Sequence, residues 1–216
     1  EAINQNMNKG ALIFNYVGHG GETGLTLERV VTVPMIEAWT NVNNLTLFIS
    51  ATCEFSRFDD PGRVSAGEVT LTMPYGGAVG LLTTTRLVQV SVNTTLVKNL
   101  YTVIFNEVNG EPLALGEILR QTKNLSAGSD NVRNFTLLGD PALQLGKPSP
   151  KIVTDSINGI SVTMATDTLK ALSKITVKGH VGDINGNIIS TYNGVVYPTI
   201  YDKTKIKYTT LWYQIK

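Results

Sequence analysis

Phe14-Asn15-Tyr16-Val17-Gly18-His19-Gly20-Gly21 and Ile49-Ser50-Ala51-Thr52-Cys53-Glu54 are built alike: an apolar, β-prone run ending on a chemically active side chain. The surrounding runs at residues 11–17 and 45–52 are short, apolar and rich in β-branched or aromatic side chains, so they predict buried strands. Residues 77–84 predict a third. Between and after them, residues 33–39 and 65–73 predict short helices. Residues 92–108 predict a longer helix, with Leu96, Leu100, Val103, Ile104 and Val108 on one face. A further helix is predicted over 113–125, with Gly128 to end it. Strands alternating with helices in this way give an α/β sandwich around a mostly parallel sheet.

The C-terminal ends of parallel strands gather on one sheet edge, where the sites of open α/β folds lie. If the first two strands are neighbours, His19 and Cys53 share that edge. A Cys–His dyad needs this geometry, because the imidazole must take the thiol proton before the sulfur attacks a carbonyl. The glycines let backbone N–H groups approach closely, so the amides of Gly20 and Cys53 are candidate oxyanion donors. Each feature has an ordinary reading as well. A lone cysteine at a strand end is commonly a small hydrophobe, and a histidine between glycines can simply mark a turn. The pattern leaves both open.

Composition narrows the alternatives. One cysteine among 216 residues cannot form an internal disulfide, and with two histidines it cannot supply a cysteine-rich zinc site. Hydrophobic content of 42% with 16% charged residues is globular. A net charge of +1 gives no electrostatic case for nucleic acid, and no apolar run approaches the roughly 18–20 residues of a membrane span. The charge is unevenly spread. Residues 1–147 carry 10 basic and 13 acidic side chains (−3), residues 148–216 carry 8 and 4 (+4), and the two sum to +1. Gly146-Lys147-Pro148-Ser149-Pro150 reads as the linker between two domains, 1–147 and 148–216. In the second, residues 160–164, 174–178, 195–200 and 206–212 alternate with period two around Asn-Gly turns, which predicts a small, incomplete β-sandwich of immunoglobulin type. His180 falls there, far from the strand-end edge, as a surface or turn residue.

Three segments, NYVGHGG (15–21), ISATCEFSRFDDP (49–61) and NFTLLGDPALQL (134–145), resemble the gingipain-type cysteine peptidases, whose fold is a caspase-like α/β sandwich. The His-to-Cys separation, 53 − 19 = 34, suits that family and is shorter than the roughly 50 of caspases. In the second half, DTLKALSKITVKGHVGDINGN (167–187) and YNGVVYPTIYDK (192–203) resemble the branch of the family that serves as sorting-signal peptidase and sortase of the type IX secretion system.

The resemblance implies Cys53 as nucleophile, His19 as general acid/base, and the Gly20 and Cys53 amides as oxyanion donors. It implies removal of C-terminal sorting domains from exported proteins at a bacterial cell surface, with the thioester resolved by water or by an amine of an anionic lipopolysaccharide. It also implies an outer-membrane β-barrel shuttle protein as partner. In this family a carboxylate orienting the histidine, and the opening strands of the sheet, precede the histidine segment. Only eighteen residues precede His19, so the expectation is a piece of a longer protein that lacks the N-terminal part of its catalytic domain.

No cofactor is implied. Glu54 is a candidate substrate contact, and Asp59 and Asp60 are candidate calcium ligands, although the spacing matches no EF-hand loop. Arg57, Arg63 and Arg86 are candidates for an anionic binding face; Asp140 reads as a turn cap before Pro141. Sequons at Asn44, Asn93, Asn124 and Asn134 carry little meaning in a chain this rich in Asn and Thr. The competing function classes are a caspase-like binding module without catalysis and a structural segment of a cell-surface protein.

Overall fold

Every residue of Thr46–Ala51 is buried, which a strand achieves only inside a sheet covered on both faces. The computed structural model describes residues 1–26, 28–146, 150–164, 169–170 and 172–197, in two compact units, Glu1–Lys147 and Pro148–Lys216. The first unit runs α1 (Ala2–Lys9), β1 (Ile13–Val17), β2 (Gly20–Gly21), β3 (Gly24–Leu25), β4 (Val31–Thr32), α2 (Val33–Glu37), β5 (Thr46–Ala51), α3 (Ala66–Thr72), β6 (Ala78–Thr84), α4 (Val90–Val103), β7 (Glu107–Val108), β8 (Glu111–Pro112), α5 (Leu115–Leu125) and β9 (Phe135–Gly139). The second contains β10 (Lys151–Ile157), β11 (Ile160–Ser161) and β12 (Val177–Gly182).

The main sheet has the order β1-β5-β6-β9, with β1, β5 and β6 parallel and β9 antiparallel to β6. This is the expected mostly parallel α/β sandwich. Alternation along β5 sends Phe48 to one face, into a cluster with Met7 of α1, Ile36 of α2, Trp39 and Ala66 of α3. Phe48 stacks on Phe14 at 4.4 Å and on Phe55 at 5.4 Å between ring centroids. Leu47 and Ile49 face the other way, onto Leu100 and Val103 of α4 and Leu115 and Ile118 of α5. Each fully buried side chain of this size contributes about 2 kcal/mol by leaving water.

In the first unit most predicted elements form, and one departure is informative. The helix expected over 92–108 runs instead over Val90–Val103, and Val108 lies in a strand. Asn109 (φ 55) and Gly110 (φ 84) are both left-handed, as a tight hairpin turn requires, and they fold β7 onto β8. The apolar periodicity continued past the helix, but the turn chemistry prevailed. α3 begins at a capping box, with Glu68 N–H donating to Ser65 Oγ (3.4 Å) and Ser65 N–H donating to Glu68 Oε2 (2.8 Å). Asp140 caps its turn as expected, accepting from Ala142 N–H at 2.8 Å.

In the second unit the described residues form one antiparallel sheet of order β11-β10-β12. Its longest strand, β10, falls on residues where none was predicted. Only Ile160–Ser161 of the 160–164 run is strand, because Met164 N–H folds back onto Ser161 O (3.0 Å). The run at 174–178 contributes only from Val177 onward, and residues 195–197 form no strand. Residues 198–200 and the run at 206–212 lie outside the described residues. The second layer of the expected sandwich is not among those described. Asp155 sits at a bulge in β10, where the register shifts between Thr154 and Ser156, and its carboxylate meets His180 Nδ1 at 3.0 Å. The second ring nitrogen meets Gly186 O at 3.0 Å. These two acceptors hold the His180 pKa above its ordinary value.

Two measurements follow from these contacts. A Cβ at Gly67 in α3 would stand 1.8 Å from Ser56 Oγ, against a hydroxyl already bonded to Thr83. Gly67→Ala is therefore expected to lower stability in urea unfolding by about 2 kcal/mol. Helix propensity alone would favour alanine by about 1 kcal/mol, so a stabilised variant would refute the tight approach. A raised histidine pKa adds stability that is complete below the unfolded value near 6.5 and is lost as pH rises through the folded one. Titrating the His180 ring by NMR should give a midpoint above 6.5 that falls in Asp155→Asn; a midpoint unmoved by that change would contradict the pairing.

Candidate functional site

β1 and β5 pair in parallel, and their last register pair is Val17 with Ala51. Gly18 N–H extends the ladder by one bond to Ala51 O, 3.3 Å. His19 and Cys53 each stand two residues beyond that pair, on strands separated by about 4.8 Å. The sheet thus brings the two residues to one edge. The thiol itself donates to Val88 O at 3.7 Å, and no hydrogen bond joins Cys53 Sγ to the His19 ring. The exposed His19 is held through its backbone, its carbonyl accepting from Tyr16 Oη (2.7 Å) and from Thr26 N–H (2.9 Å). Burial and the Glu28 charge push the Tyr16 pKa up, which keeps that hydroxyl a donor.

The segment after β5 does not leave the sheet. Ser56 N–H donates to Thr84 O (3.0 Å), Glu54 N–H to Arg86 O (3.3 Å), and the Thr84 hydroxyl to Thr52 O. Beneath them the hydroxyls of Ser50, Thr83 and Ser56 form a buried chain, with steps of 2.8 and 2.9 Å. Ala51 O receives a second bond from Asn93 Nδ2 of α4 at 3.0 Å. Asn93 is 3% exposed, so this sequon serves as a buried tie and is closed to a glycan. Cys53 therefore rides on a segment held from both neighbouring strands and from the helix layer. The next residue, Glu54, turns the chain in the left-handed region (φ 50) and places its carboxylate 3.6 Å from Arg57 Nη1.

On the histidine side, β2 and β3 make a tight hairpin closed by Thr26 N–H on His19 O. Alternation of an antiparallel ladder then leaves Gly20 at a non-hydrogen-bonded position, so its N–H faces away from β3. Gly20 packs directly on Thr52: a Cβ there would meet Thr52 Oγ1 at 2.6 Å and Gly24 O at 3.0 Å. A cavity of about 690 Å³ opens beside this hairpin and is lined by His19 and Gly20, though not by Cys53.

The charged residues around Cys53 satisfy one another. Glu22, on the β2–β3 turn with a side chain 10% exposed, lies 3.2 Å from Arg57 Nη1 and 3.0 Å from Arg63 Nε. The second contact is ionic rather than an aligned hydrogen bond. The Glu22 carbonyl also accepts from Ala66 N–H at 2.7 Å. The histidine hairpin is thereby tied to the loop that follows the cysteine. Asp60 lies 3.6 Å from Arg63 and accepts from Gly62 N–H at 2.9 Å. Asp59 takes the Arg86 guanidinium on both oxygens, which holds its carboxyl below the usual range. Asp59 and Asp60, the candidate calcium ligands, are thus each held by an arginine. The three arginines likewise face acids of the same loops rather than an open binding face.

Sequence reasoning did not reach Glu22 and Asn93 as parts of the site. Asn93 was visible only as a sequon. Glu22 partners residues 35 and 41 positions away (57 − 22 and 63 − 22), which no local pattern encodes.

The sequence model of peptidase family C25 matches residues 1–146. The structure resembles the complex of pro- and mature domains of RgpB from Porphyromonas gingivalis, with TM-score 0.61 and 16% identity, covering 70% of this chain and 39% of that one. It resembles equally the Arg-specific cysteine proteinase gingipain R (RgpB), with TM-score 0.61 and 16% identity over 71% and 38% of the two chains. At these identities the likeness establishes the caspase-like fold. Dimeric latent PorU from Porphyromonas gingivalis matches at 27% identity over 56% of this chain and 12% of that one, with a TM-score of 0.29, too low to bear on the fold. The chain spans about two-fifths of the length of the gingipain structures. No curated protein sequence matches it.

Glu22→Ala should cost about 1–2 kcal/mol, because both arginines are partly exposed and regain water. It should also accelerate amide hydrogen exchange at Thr26 and Ala66, the two ends of the tie. Unchanged exchange at both would show that the hairpin is held by other means.

Proposed function

The chain belongs to peptidase family C25, and from that premise we propose that it carries the nucleophile and general acid/base of a cysteine endopeptidase. The observation supporting this reading is the β1–β5 register, which sets Cys53 and His19 two residues past one register pair at one sheet edge. His19 takes the Cys53 thiol proton, and Sγ bonds to the scissile carbonyl carbon. The Gly20 and Cys53 N–H groups receive the oxyanion; ladder alternation turns the first away from β3, and no described acceptor takes the second. Collapse of the tetrahedral intermediate breaks the C–N bond, and His19 returns the proton to the leaving amine. The thioester is then resolved by water, giving a carboxylic acid, or by an amine, giving a new amide. Glu54, next to the nucleophile, is the proposed substrate contact, with Arg57 as its present partner.

The finer assignment rests on the second-half segments 167–187 and 192–203, which resemble the type IX secretion branch of the family. On that basis the whole protein removes C-terminal sorting domains from exported proteins at the bacterial outer membrane and cell surface. Its partners are the N-terminal part of its own catalytic domain and an outer-membrane β-barrel shuttle protein. One observation favours a second reading, a caspase-like binding module without catalysis: the thiol bonds to Val88 O instead of the imidazole.

In cells, Cys53→Ala in the full-length protein should abolish removal of C-terminal sorting domains while leaving folding and surface abundance unchanged. Processing at the wild-type level by that variant would eliminate the catalytic assignment and leave the binding module.

A further inference from the structure

Six arginines occur in the chain, and five of them face a carboxylate: Arg57, Arg63, Arg86, Arg120 and Arg133. Arg29 has no carboxylate partner among the described residues. It lies on the wall of the roughly 690 Å³ cavity that His19 also lines. Among the described residues no Asp or Glu lines that cavity, whereas Thr23, Thr26 and Thr32 do. The adjacent Glu28 makes no ion pair with Arg29, and its charge acts on Tyr16.

Thr26 (φ 64) and Arg29 (φ 57) both adopt the left-handed region, at roughly 1–2 kcal/mol each for residues other than glycine. Arg29 N–H donates to Thr26 O at 3.3 Å, and Val30 N–H donates to Thr26 Oγ1 at 3.2 Å, leaving that hydroxyl proton free to donate elsewhere. The acids and arginines of the cysteine loop pair with each other, and Arg29 is a charged side chain lining the cavity that has no carboxylate partner among the described residues. A cleft with a cation and hydroxyl donors but no carboxylate selects anions, and a guanidinium prefers the planar carboxylate.

We propose that this cleft is a specificity subsite that takes an acidic side chain of the peptide substrate, with Arg29 as its charge partner. The assignment rests on the peptidase reading and adds to it a substrate class, a peptide with Asp or Glu near the scissile bond. An acidic residue seated there would fix the neighbouring peptide group beside His19, because both line one cavity.

The test uses the full-length protein carrying Cys53→Ala, so that binding is read without turnover. The probes are fluorescent, end-capped octapeptides that differ only in Asp against Asn at one position, scanned along the peptide. At one position the Asp peptide should bind about tenfold tighter than its Asn counterpart, and the difference should shrink as ionic strength rises. Arg29→Gln should remove the preference, Arg29→Lys should retain most of it, and Arg29→Glu should shift it to peptides with Lys at that position. Absence of an Asp-over-Asn preference at every position, or its persistence in Arg29→Gln, overturns the subsite. Failure of the peptidase reading appears separately, as failure of wild-type Cys53 to be labelled by a peptidyl thiol-directed inhibitor.

Discussion

The parallel pairing of β1 with β5 is the constraint on which the site depends. A cysteine and a histidine 34 positions apart in sequence reach one sheet edge only because two strands run the same way and stop at the same level. The level is set at Ala51, whose carbonyl takes Gly18 N–H from one side and Asn93 Nδ2 from the other. A slip of one residue would send Phe48 off the face where it stacks on Phe14 and Phe55, and would turn Leu47 and Ile49 away from α4 and α5. The packing of both layers therefore enforces the register that brings Cys53 and His19 to one edge.

Past the strand ends, polar ties take over from hydrophobic packing. The buried hydroxyls of Ser50, Thr83 and Ser56 hold the cysteine segment against β6, and Glu22 holds the histidine hairpin to the loop that follows. Isolated exposed ion pairs contribute little to stability, but here one nearly buried carboxylate spans two elements and limits how far they can part. The same pairing engages Arg57 and Arg63, whereas Arg29, on the cavity wall, has no carboxylate partner among the described residues.

Much of the first unit was legible. Six consecutive apolar or small residues in Thr46–Ala51 announce a central strand, and the helix expected over 65–73 forms as α3. The overrun of the helix to Val108 shows where apolar periodicity misleads: Val108 fits the helical stripe, but Asn109-Gly110 demands a hairpin. β10 was missed because its buried and exposed positions do not alternate cleanly, and the bulge at Asp155 interrupts its period.

By itself the sequence determined which residues were available for chemistry, one thiol and one histidine at the ends of apolar strands, and the type of layer each segment would join. Those properties are local, set by side-chain chemistry and by periods of two or 3.6 residues. Only the tertiary structure decided that the two strands are adjacent and in register, that Glu22 reaches Arg57 and Arg63, and that Arg29 has no acid partner among the described residues. Such facts depend on which distant groups compete for the same partner. That competition is resolved only when the whole sheet and its covering helices pack together.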